Sequence, residues 1–277
     1  MNKKKSKLIN KNYDQFTIKI NSKPPNFMER IFNVWYRHFK VYSKNMISNG
    51  IEVLLEPLFF LIAIGLGLGQ YIVNMEGMPY IKYLASAIIV SASMFTAAYE
   101  CTFGTFIRLE FDKVYDGMLS APITAKDLLI GEIFFAGTKG FFFSSCILLI
   151  LFIFNLIVFP VSLLAPIGGF LTGIMFGAFS LLITSFVNTI NHFTFYFTGL
   201  LTPMFFFSGI IFPLSNIPSQ IRWVAYVLPL SHSTKIIRAI CLNRFSYDLF
   251  FDLIYIILFI IIIGFFAIKK LEKRLIN

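Results

Sequence analysis

An all-α integral membrane protein is the fold class that this sequence predicts, and three observations support it. The chain has 277 residues, of which 57% are hydrophobic and only 14% charged, whereas soluble domains carry about 25% charged residues. Apolar runs of roughly 20 residues, the length with which a helix crosses a bilayer, recur along the sequence. Of the 24 Lys and Arg, 11 precede residue 50. Because such placement orients a membrane protein, we expect no nucleic-acid partner despite the net charge of +10.

The N-terminal region divides into two parts. Residues 1–26 are rich in Lys and Asn without a periodic apolar face, which predicts a mobile basic cytoplasmic tail and no cleavable signal peptide. Residues 27–50 carry Phe27, Ile31 and Trp35 at helical spacing with cations around them. This pattern is typical of an amphipathic helix that lies flat at the inner membrane interface. A soluble helix packed on a partner protein is the alternative.

Residues 51–277 are predicted to form a domain of six transmembrane helices. The candidate spans are residues 51–73, 83–106, 128–158, 166–187, 193–212 and 249–268. Of the 24 basic residues, 18 fall before the first span, between the second and third spans, and after the sixth. Because basic residues concentrate in cytoplasmic connections, both termini are expected on the cytoplasmic side of the inner membrane. Gly169, Gly173 and Gly177 share one helix face, which predicts close helix packing.

The region before the sixth span predicts a re-entrant helical hairpin at about residues 212–242. Ser215-Asn-Ile-Pro218 is a helix-start signal, and Pro229 separates two short amphipathic stretches. Re-entrant backbone is tolerated only where it is buried in protein or lines a wet cavity. We therefore expect the hairpin to cover a path through the membrane on its outer side, and a folded external loop is the alternative.

The connection between the second and third spans predicts an amphipathic docking helix at about residues 108–121. It keeps large apolar side chains among its charges, as helices that dock onto another protein do. The chain has no Gly-x-x-x-x-Gly-Lys-Ser/Thr motif, so we expect it not to bind ATP through a P-loop. The residues expected to contact the docking partner are Arg108, Glu110, Phe111, Asp112, Tyr115 and Met118.

Charged residues inside the predicted spans are few. A charge at mid-bilayer costs about 3 kcal/mol, so such residues pair or face water. Glu100 and Lys139 lie near the cytoplasmic ends of adjacent antiparallel spans and are predicted to form an ion pair; snorkelling of each side chain to the interface is the alternative. The histidines and cysteines show no metal-ligand or nucleophile spacing, so no metal, cofactor or enzymatic centre is expected in this chain.

Three stretches resemble a known family. They are Glu56-Pro57 with Gly65-Leu-Gly-Leu-Gly69; residues 83–140, which contain Arg108-Leu-Glu110, Tyr115-Asp-Gly-Met-Leu119, Gly131-Glu132 and Thr138-Lys139; and Thr202-Pro203-Met-Phe-Phe-Phe-Ser-Gly209 with Phe212-Pro213 and Leu228-Pro-Leu-Ser-His-Ser233. On these motifs the chain, from about Phe27 onward, resembles the membrane subunits of type-2 ABC exporters. It is most similar to the branch that carries nodulation factors, which are lipo-oligosaccharides.

The resemblance implies a working exporter of two permeases and two P-loop ATPase subunits, with ATP and magnesium bound by the ATPases. A second copy of this chain, membrane lipids and an amphipathic glycan or lipid substrate are the other expected partners. The docking helix would be the coupling helix, and residues 212–242 would form the outer gate. The residues expected along the path or at the gate are Phe197, Phe205, Phe206, Pro213, Pro229 and His232.

Other functional classes remain open on the sequence alone. A membrane-embedded glycosyl- or acyltransferase would need clustered polar catalytic residues. A secondary transporter would show an internal repeat and helices broken at the midplane. Neither pattern is evident, and an ABC exporter of drugs rather than glycans is a further alternative. A neighbouring reading frame that encodes a P-loop ATPase would distinguish the ABC transporter from the other two classes.

Overall fold

The computed structural model describes residues 25–72 and 74–276, with the side chains of residues 47–49, 52, 53 and 276 excepted. The predicted basic tail, residues 1–26, therefore lies almost entirely outside the described residues. The described part of the chain is predominantly helical and contains one short antiparallel hairpin, in which Asn74–Met75 pairs with Met78–Pro79. The all-α class predicted from composition agrees with this architecture.

Eleven α-helices form the described part of the chain. They are α1 (Phe27–Lys44), α2 (Met46–Gly67), α3 (Tyr80–Tyr99), α4 (Val114–Leu119), α5 (Ala125–Ile153), α6 (Ala165–Thr184), α7 (Phe193–Tyr196), α8 (Thr202–Phe207), α9 (Ser219–Val227), α10 (Pro229–Leu242) and α11 (Asp248–Ile276). Two π-helical segments, Glu100–Gly104 and Ile107–Phe111, extend α3, and a third, Phe197–Leu201, joins α7 to α8.

Four helical stretches among the described residues are long and apolar enough to cross a membrane. They are Tyr80–Phe111, Ala125–Ile153, Val161–Thr184 and Asp248–Leu275. The first predicted span corresponds to α2. Its apolar stretch among the described residues, Leu54–Gln70, is shorter than each of these four helical stretches.

The fifth predicted span, residues 193–212, is shorter than expected. Its helical segments of four, five and six residues total about 22 Å at 1.5 Å per residue. The helix ends at Phe207 because Ser208 leaves helical geometry and Gly209 has a φ of +78°, a left-handed conformation that glycine adopts readily.

The protein core lies where α3, α5 and α6 pack together. A Cβ atom on Gly140 of α5 would lie 2.5 Å from the Gly169 carbonyl oxygen, and one on Gly173 would lie 2.8 Å from the Ala136 carbonyl oxygen. A Cβ on Gly177 would lie 2.9 Å from the Ala136 Cβ. Absent side chains thus let α5 and α6 approach to backbone contact. The predicted packing role of the glycine face on α6 is confirmed.

Helix α1 packs one face along α5. Its Val34 sits over Gly131, where an added Cβ would come within 2.6 Å, and Arg30 Nε lies 2.8 Å from Asp127 Oδ2. The opposite face exposes Phe27, Met28, Phe32, Tyr36 and Phe39. The helix ends at Lys44, so residues 46–50 of the predicted interfacial segment belong to α2 instead.

The region of the predicted hairpin, residues 212–242, contains two short helices, α9 and α10. Arg238 of α10 donates a hydrogen bond of 2.7 Å to the Gly209 carbonyl oxygen, and its guanidinium lies 3.8 Å over the ring of Tyr83. The hydroxyl of Tyr83 donates to the same carbonyl oxygen. These contacts fix α10 against α3 and the end of α8.

Candidate functional site

Four charged side chains meet inside the protein, and we call them the inner ionic cluster: Glu100, Arg108, Glu132 and Lys139. Lys139 Nζ lies 2.9 Å from Glu100 Oε2. Arg108 Nη1 lies 2.7 Å from Glu100 Oε1, and its Nε lies 3.1 Å from Glu132 Oε1. Two carboxylates and two cations balance in charge. Because an isolated buried charge is costly, this mutual pairing is the condition under which the cluster can be buried.

The extension of α3 brings Arg108 to the cluster. Glu100 opens the first π-helical segment and Arg108 lies in the second, so the register between them departs from that of an α-helix. Gly104 lies between the two side chains, and a Cβ there would come within 3.3 Å of both Glu100 Oε1 and Arg108 Nη2. The small residue at this position lets the carboxylate and the guanidinium meet.

Tyr115 joins the cluster from α4. Its fully buried hydroxyl donates a hydrogen bond to Glu132 Oε1, while Thr105 Oγ1 donates to Glu132 Oε2 at 2.5 Å. Burial, reinforced by the Glu132 carboxylate, holds the pKa of Tyr115 well above its usual value, so the phenol stays a donor at neutral pH. Glu132 therefore links α3, α4 and α5.

His38 brings α1 to the same carboxylate. The ring is 3% exposed, and its Nε2 lies 3.4 Å from Glu132 Oε1. Burial lowers the pKa of His38 to about 4, although Glu132 acts in the opposite direction. The imidazole is therefore neutral at pH 7, and its approach to Glu132 adds no charge to the cluster.

The predicted docking residues separate into an inward and an outward group. Arg108 and Tyr115 point into the inner ionic cluster, and this corrects the expectation that they contact a partner. Phe111 is 63% exposed and Asp112 is also exposed. Met118 is partly buried against the core.

The predicted single helix over residues 108–121 is also wrong in its bounds. The α3 extension ends at Phe111, and α4 covers only Val114–Leu119. Lys113, with a φ of 50°, forms a left-handed corner between them. Glu110 ties this corner to the end of α11, because its Oε1 accepts a 2.8 Å hydrogen bond from Arg274 Nη2.

The aromatic residues predicted along a path fall into two places. Phe205 and Phe206 border a groove of about 200 Å³. Phe197 instead stacks on Tyr99, with ring centroids 4.5 Å apart. The remaining side chains of the groove are Glu56, Pro57, Phe60, Ile88, Ser91, Phe95 and Thr202.

The predicted gate residue His232 lies in a polar contact with α11. Its Nδ1 is 2.5 Å from Asp252 Oδ1, and its Nε2 is 2.9 Å from the Tyr226 carbonyl oxygen. Both ring nitrogens thus face an oxygen atom of a neighbouring helix. Lys235 Nζ lies 3.4 Å from the same Asp252 oxygen. The ring of His232 therefore connects α9, α10 and α11.

The two predicted gate prolines occupy structural positions near this contact. Pro229 is the first residue of α10, where the missing N–H of proline carries no penalty. Pro213 borders a cleft of about 330 Å³ that also includes Lys235, Arg238 and Asp252.

Sequence reasoning missed the structural roles of two carboxylates, Asp252 and Glu132. Asp252 lies within the predicted sixth span, and a carboxylate in that apolar run was itself a signal. Glu132 is a visible charge within the predicted third span, but its four partners, Thr105, Arg108, Tyr115 and His38, come from three separate elements. Their convergence depends on tertiary packing rather than on spacing in the sequence.

Comparison with known proteins gives a consistent result. Residues 29–242 match the family described as ABC-2 type transporter. Nodulation protein J of Sinorhizobium fredii (strain NBRC 101917 / NGR234) is 28% identical over 244 residues, 88% of this chain and 93% of the relative. Nodulation protein J of Rhizobium meliloti (strain 1021) is 29% identical over 210 residues, which are 76% of this chain and 80% of the relative. Inner membrane transport permease YadH of Escherichia coli (strain K12) is 20% identical over 198 residues, which are 72% of this chain and 77% of the relative.

These matches confirm the resemblance to the membrane subunits of type-2 ABC exporters that the motifs indicated. The family match includes most of α1, the inner ionic cluster and α10, and it ends before α11, which supplies Asp252 and Arg274 to the contacts described above. The chain belongs to the ABC-2 type transporter family and is a permease subunit of an ABC transporter.

Proposed function

We propose that this permease is driven by a separate P-loop ATPase that docks at residues 111–119. The observation that carries the proposal is the two-sided character of this segment. Tyr115 anchors it to Glu132 inside the protein, while Phe111 and Asp112 remain exposed beside it. A partner that moves the exposed side therefore also moves α3 and α5. ATP and magnesium belong to the ATPase, and this chain hydrolyses no ATP by itself.

The proposed membrane arrangement has six spans, with both termini in the cytoplasm. Helix α2 and residues 193–207 are added to the four long apolar helices. The distribution of Lys and Arg supports the orientation. Helices α9 and α10 form a re-entrant hairpin at the outer side, a role that suits their short length and the Arg238 contacts with α3.

The proposed substrate path runs beside the groove bordered by Glu56, Phe60, Phe95, Phe205 and Phe206. Opposite this groove a second copy of the chain would complete the path, so the functional permease is a homodimer. Aromatic rings present both flat apolar faces and edges, which suits an amphipathic substrate with sugar and acyl parts. The substrate class is a lipo-oligosaccharide or a similar lipid-linked glycan, which the motifs shared with the nodulation-factor branch support.

Export requires two arrangements of the permease that ATP can bias. A ligand shifts an equilibrium only by its differential affinity for the two states. ATP closes the ATPase pair, the docking segment moves as a rigid body, and the helices around the groove repack. The outer hairpin then opens in response, and substrate leaves on the side opposite the ATPase.

The test is co-purification with the candidate ATPase, followed by ATP hydrolysis and transport in lipid discs. Asp112→Arg places a repulsive charge on the exposed side of the segment. Asp248→Arg, at an exposed position at the opposite end of the bundle, is the matched control. We expect Asp112→Arg to weaken association or uncouple hydrolysis from transport, while Asp248→Arg retains both. If no ATPase binds the wild type, or if the two reversals act alike, the proposed drive is wrong.

A further inference from the structure

A cleft of about 620 Å³ separates the first turns of α5 from the last turns of α11. Lys126 and Ile130 line it from α5, and Phe265, Lys269 and Lys273 line it from α11. Residues four apart share one helix face, so each helix contributes a continuous stripe. Lys126 Nζ lies 3.8 Å from Glu272 Oε2. The start of α5 therefore faces the end of α11, and the two stripes run in opposite directions.

The two stripes give the cleft one cationic end and one apolar end. On α5 the stripe runs from Lys126 to Ile130, and on α11 it runs back from Lys273 through Lys269 to Phe265. Both helices belong to the stretches that can span a membrane. The cationic end thus lies at a membrane surface, and the apolar end extends toward the hydrocarbon.

The cationic end carries an excess of positive charge. Three lysines and one glutamate, Glu272, line the cleft, and the glutamate pairs with Lys126. Within the described part of the chain, no carboxylate forms an ion pair with Lys269 or Lys273. Lys269 Nζ instead lies 5.7 Å over the ring of Phe265. The cleft is therefore complementary to an anionic group.

The apolar end continues into a second groove. This groove, which we call the α1 groove, has a volume of about 570 Å³, shares Ile130 with the cleft and lies between α1 and α5. Its other lining side chains are Phe27, Met28, Ile31, Phe32, Trp35 and Phe134. An acyl chain that passes over Ile130 from the cleft would enter a surface formed by aliphatic and aromatic side chains.

We propose that this cleft binds one anionic phospholipid. The phosphate lies among Lys126, Lys269 and Lys273, and an acyl chain lies over Ile130 and along the α1 groove. Basic pockets between transmembrane helices on the cytoplasmic side suit lipid headgroups. A docked protein would satisfy the lysines, but it would leave the apolar end unmatched at membrane depth. The bound lipid would bridge α1, α5 and α11.

The chain contains two tryptophans, and they provide the test. Trp223→Phe leaves Trp35, which borders the α1 groove, as the only tryptophan, and excitation selective for tryptophan then reports on Trp35 alone. Trp35→Phe leaves Trp223, which is 65% exposed near the other end of the bundle. The full-length chain is placed in vesicles of phosphatidylcholine and phosphatidylglycerol, with bromine on the acyl chains of one lipid at a time. We expect brominated phosphatidylglycerol to quench Trp35 more strongly than brominated phosphatidylcholine does. The two brominated lipids should quench Trp223 to the same extent.

Variants then assign the selectivity to the cleft. Lys269→Gln and Lys273→Gln should each lower the phosphatidylglycerol selectivity at Trp35 about fivefold, the equivalent of about 1 kcal/mol per lysine. Lys270→Gln is the matched control, because Lys270 is adjacent in sequence but lies against the ring of Phe186, outside the cleft. Equal quenching by the two brominated lipids, or an equal loss in all three variants, would overturn the proposal. Neither ATPase nor substrate is present, so the outcome is independent of the proposed export function.

Discussion

The Tyr115 hydroxyl donates a hydrogen bond to Oε1 of Glu132, and this contact joins the short helix α4 to the long helix α5 inside the protein. Arg108 Nε approaches the same oxygen at 3.1 Å. One carboxylate thus holds the end of the α3 extension and the exposed segment after it. Because packed networks of this kind have few intermediate arrangements, a displacement of α4 is expected to move α3 and α5 with it.

Tyr115→Phe tests this connection with a minimal change. The variant keeps the ring in the core but removes one hydrogen bond to the Glu132 carboxylate, and a hydrogen bond to a charged group contributes about 1.5–3 kcal/mol. We expect lower thermal stability and less substrate transported per ATP hydrolysed, while the ATPase still binds. Tyr247→Phe is the control, because Tyr247 is 98% exposed. An unchanged transport-to-hydrolysis ratio in Tyr115→Phe would contradict a rigid connection.

Lys139→Met tests the charge balance of the inner ionic cluster. The change leaves two carboxylates with one cation, and breaking a buried ion pair costs about 3–5 kcal/mol. Adding Glu100→Gln restores neutrality, since Arg108 then still has Glu132 as its partner. We expect the single variant to unfold at lower denaturant concentration and the double variant to recover much of the loss. Lys44→Met, at an exposed position in α1, should behave as wild type; a double variant no more stable than Lys139→Met would show that the two residues are not coupled.

The helical membrane class and the glycine face could be predicted from the sequence because both depend on local patterns. Apolar runs report span length directly, and four-residue spacing of Gly169, Gly173 and Gly177 specifies one face whatever the neighbouring helix is. The pairing of Glu100 with Lys139 was also accessible, because two charges near one depth of adjacent spans require compensation. The structure places these two side chains 2.9 Å apart.

The inward position of Arg108 was not accessible in the same way. An arginine in a short charged connection is ordinarily solvated, and nothing in the sequence signals the π-helical segments that redirect it. The contact between His232 and Asp252 depends on how α10 packs against α11, at a separation of 20 residues. Such contacts are decided by tertiary packing, which one sequence without its fold does not specify.

His38 predicts a pH dependence of stability. Its pKa is about 4 in the folded protein because the ring is buried, against about 6.5 when unfolded. A lowered folded-state pKa means that the unfolded chain binds the proton first as pH falls. The contribution of neutral His38 to the free energy of unfolding is therefore complete above about pH 6.5. It declines as the pH falls toward 4, by about 3 kcal/mol at most.

The measurement for His38 is thermal unfolding in detergent between pH 7.5 and pH 4, compared with His38→Gln. The variant removes the titrating group, so its unfolding temperature should fall less steeply over this window than that of the wild type. His192→Gln, at an exposed histidine, should keep the wild-type slope. If His38→Gln and the wild type decline in parallel, protonation of His38 does not limit stability in acid.

Gly140→Ala tests the close approach of α5 and α6. The added Cβ would lie 2.5 Å from the Gly169 carbonyl oxygen and 3.1 Å from the Gly173 Cα. Both are backbone atoms, so the helices must separate, and overpacking of this kind costs about 1–3 kcal/mol. Gly67→Ala in α2 is the matched control, because an added Cβ there meets nothing within 4 Å and alanine favours a helix over glycine. We expect Gly140→Ala to lower the unfolding temperature and Gly67→Ala to leave it unchanged or raise it; equal effects would show that α5 and α6 are not in backbone contact.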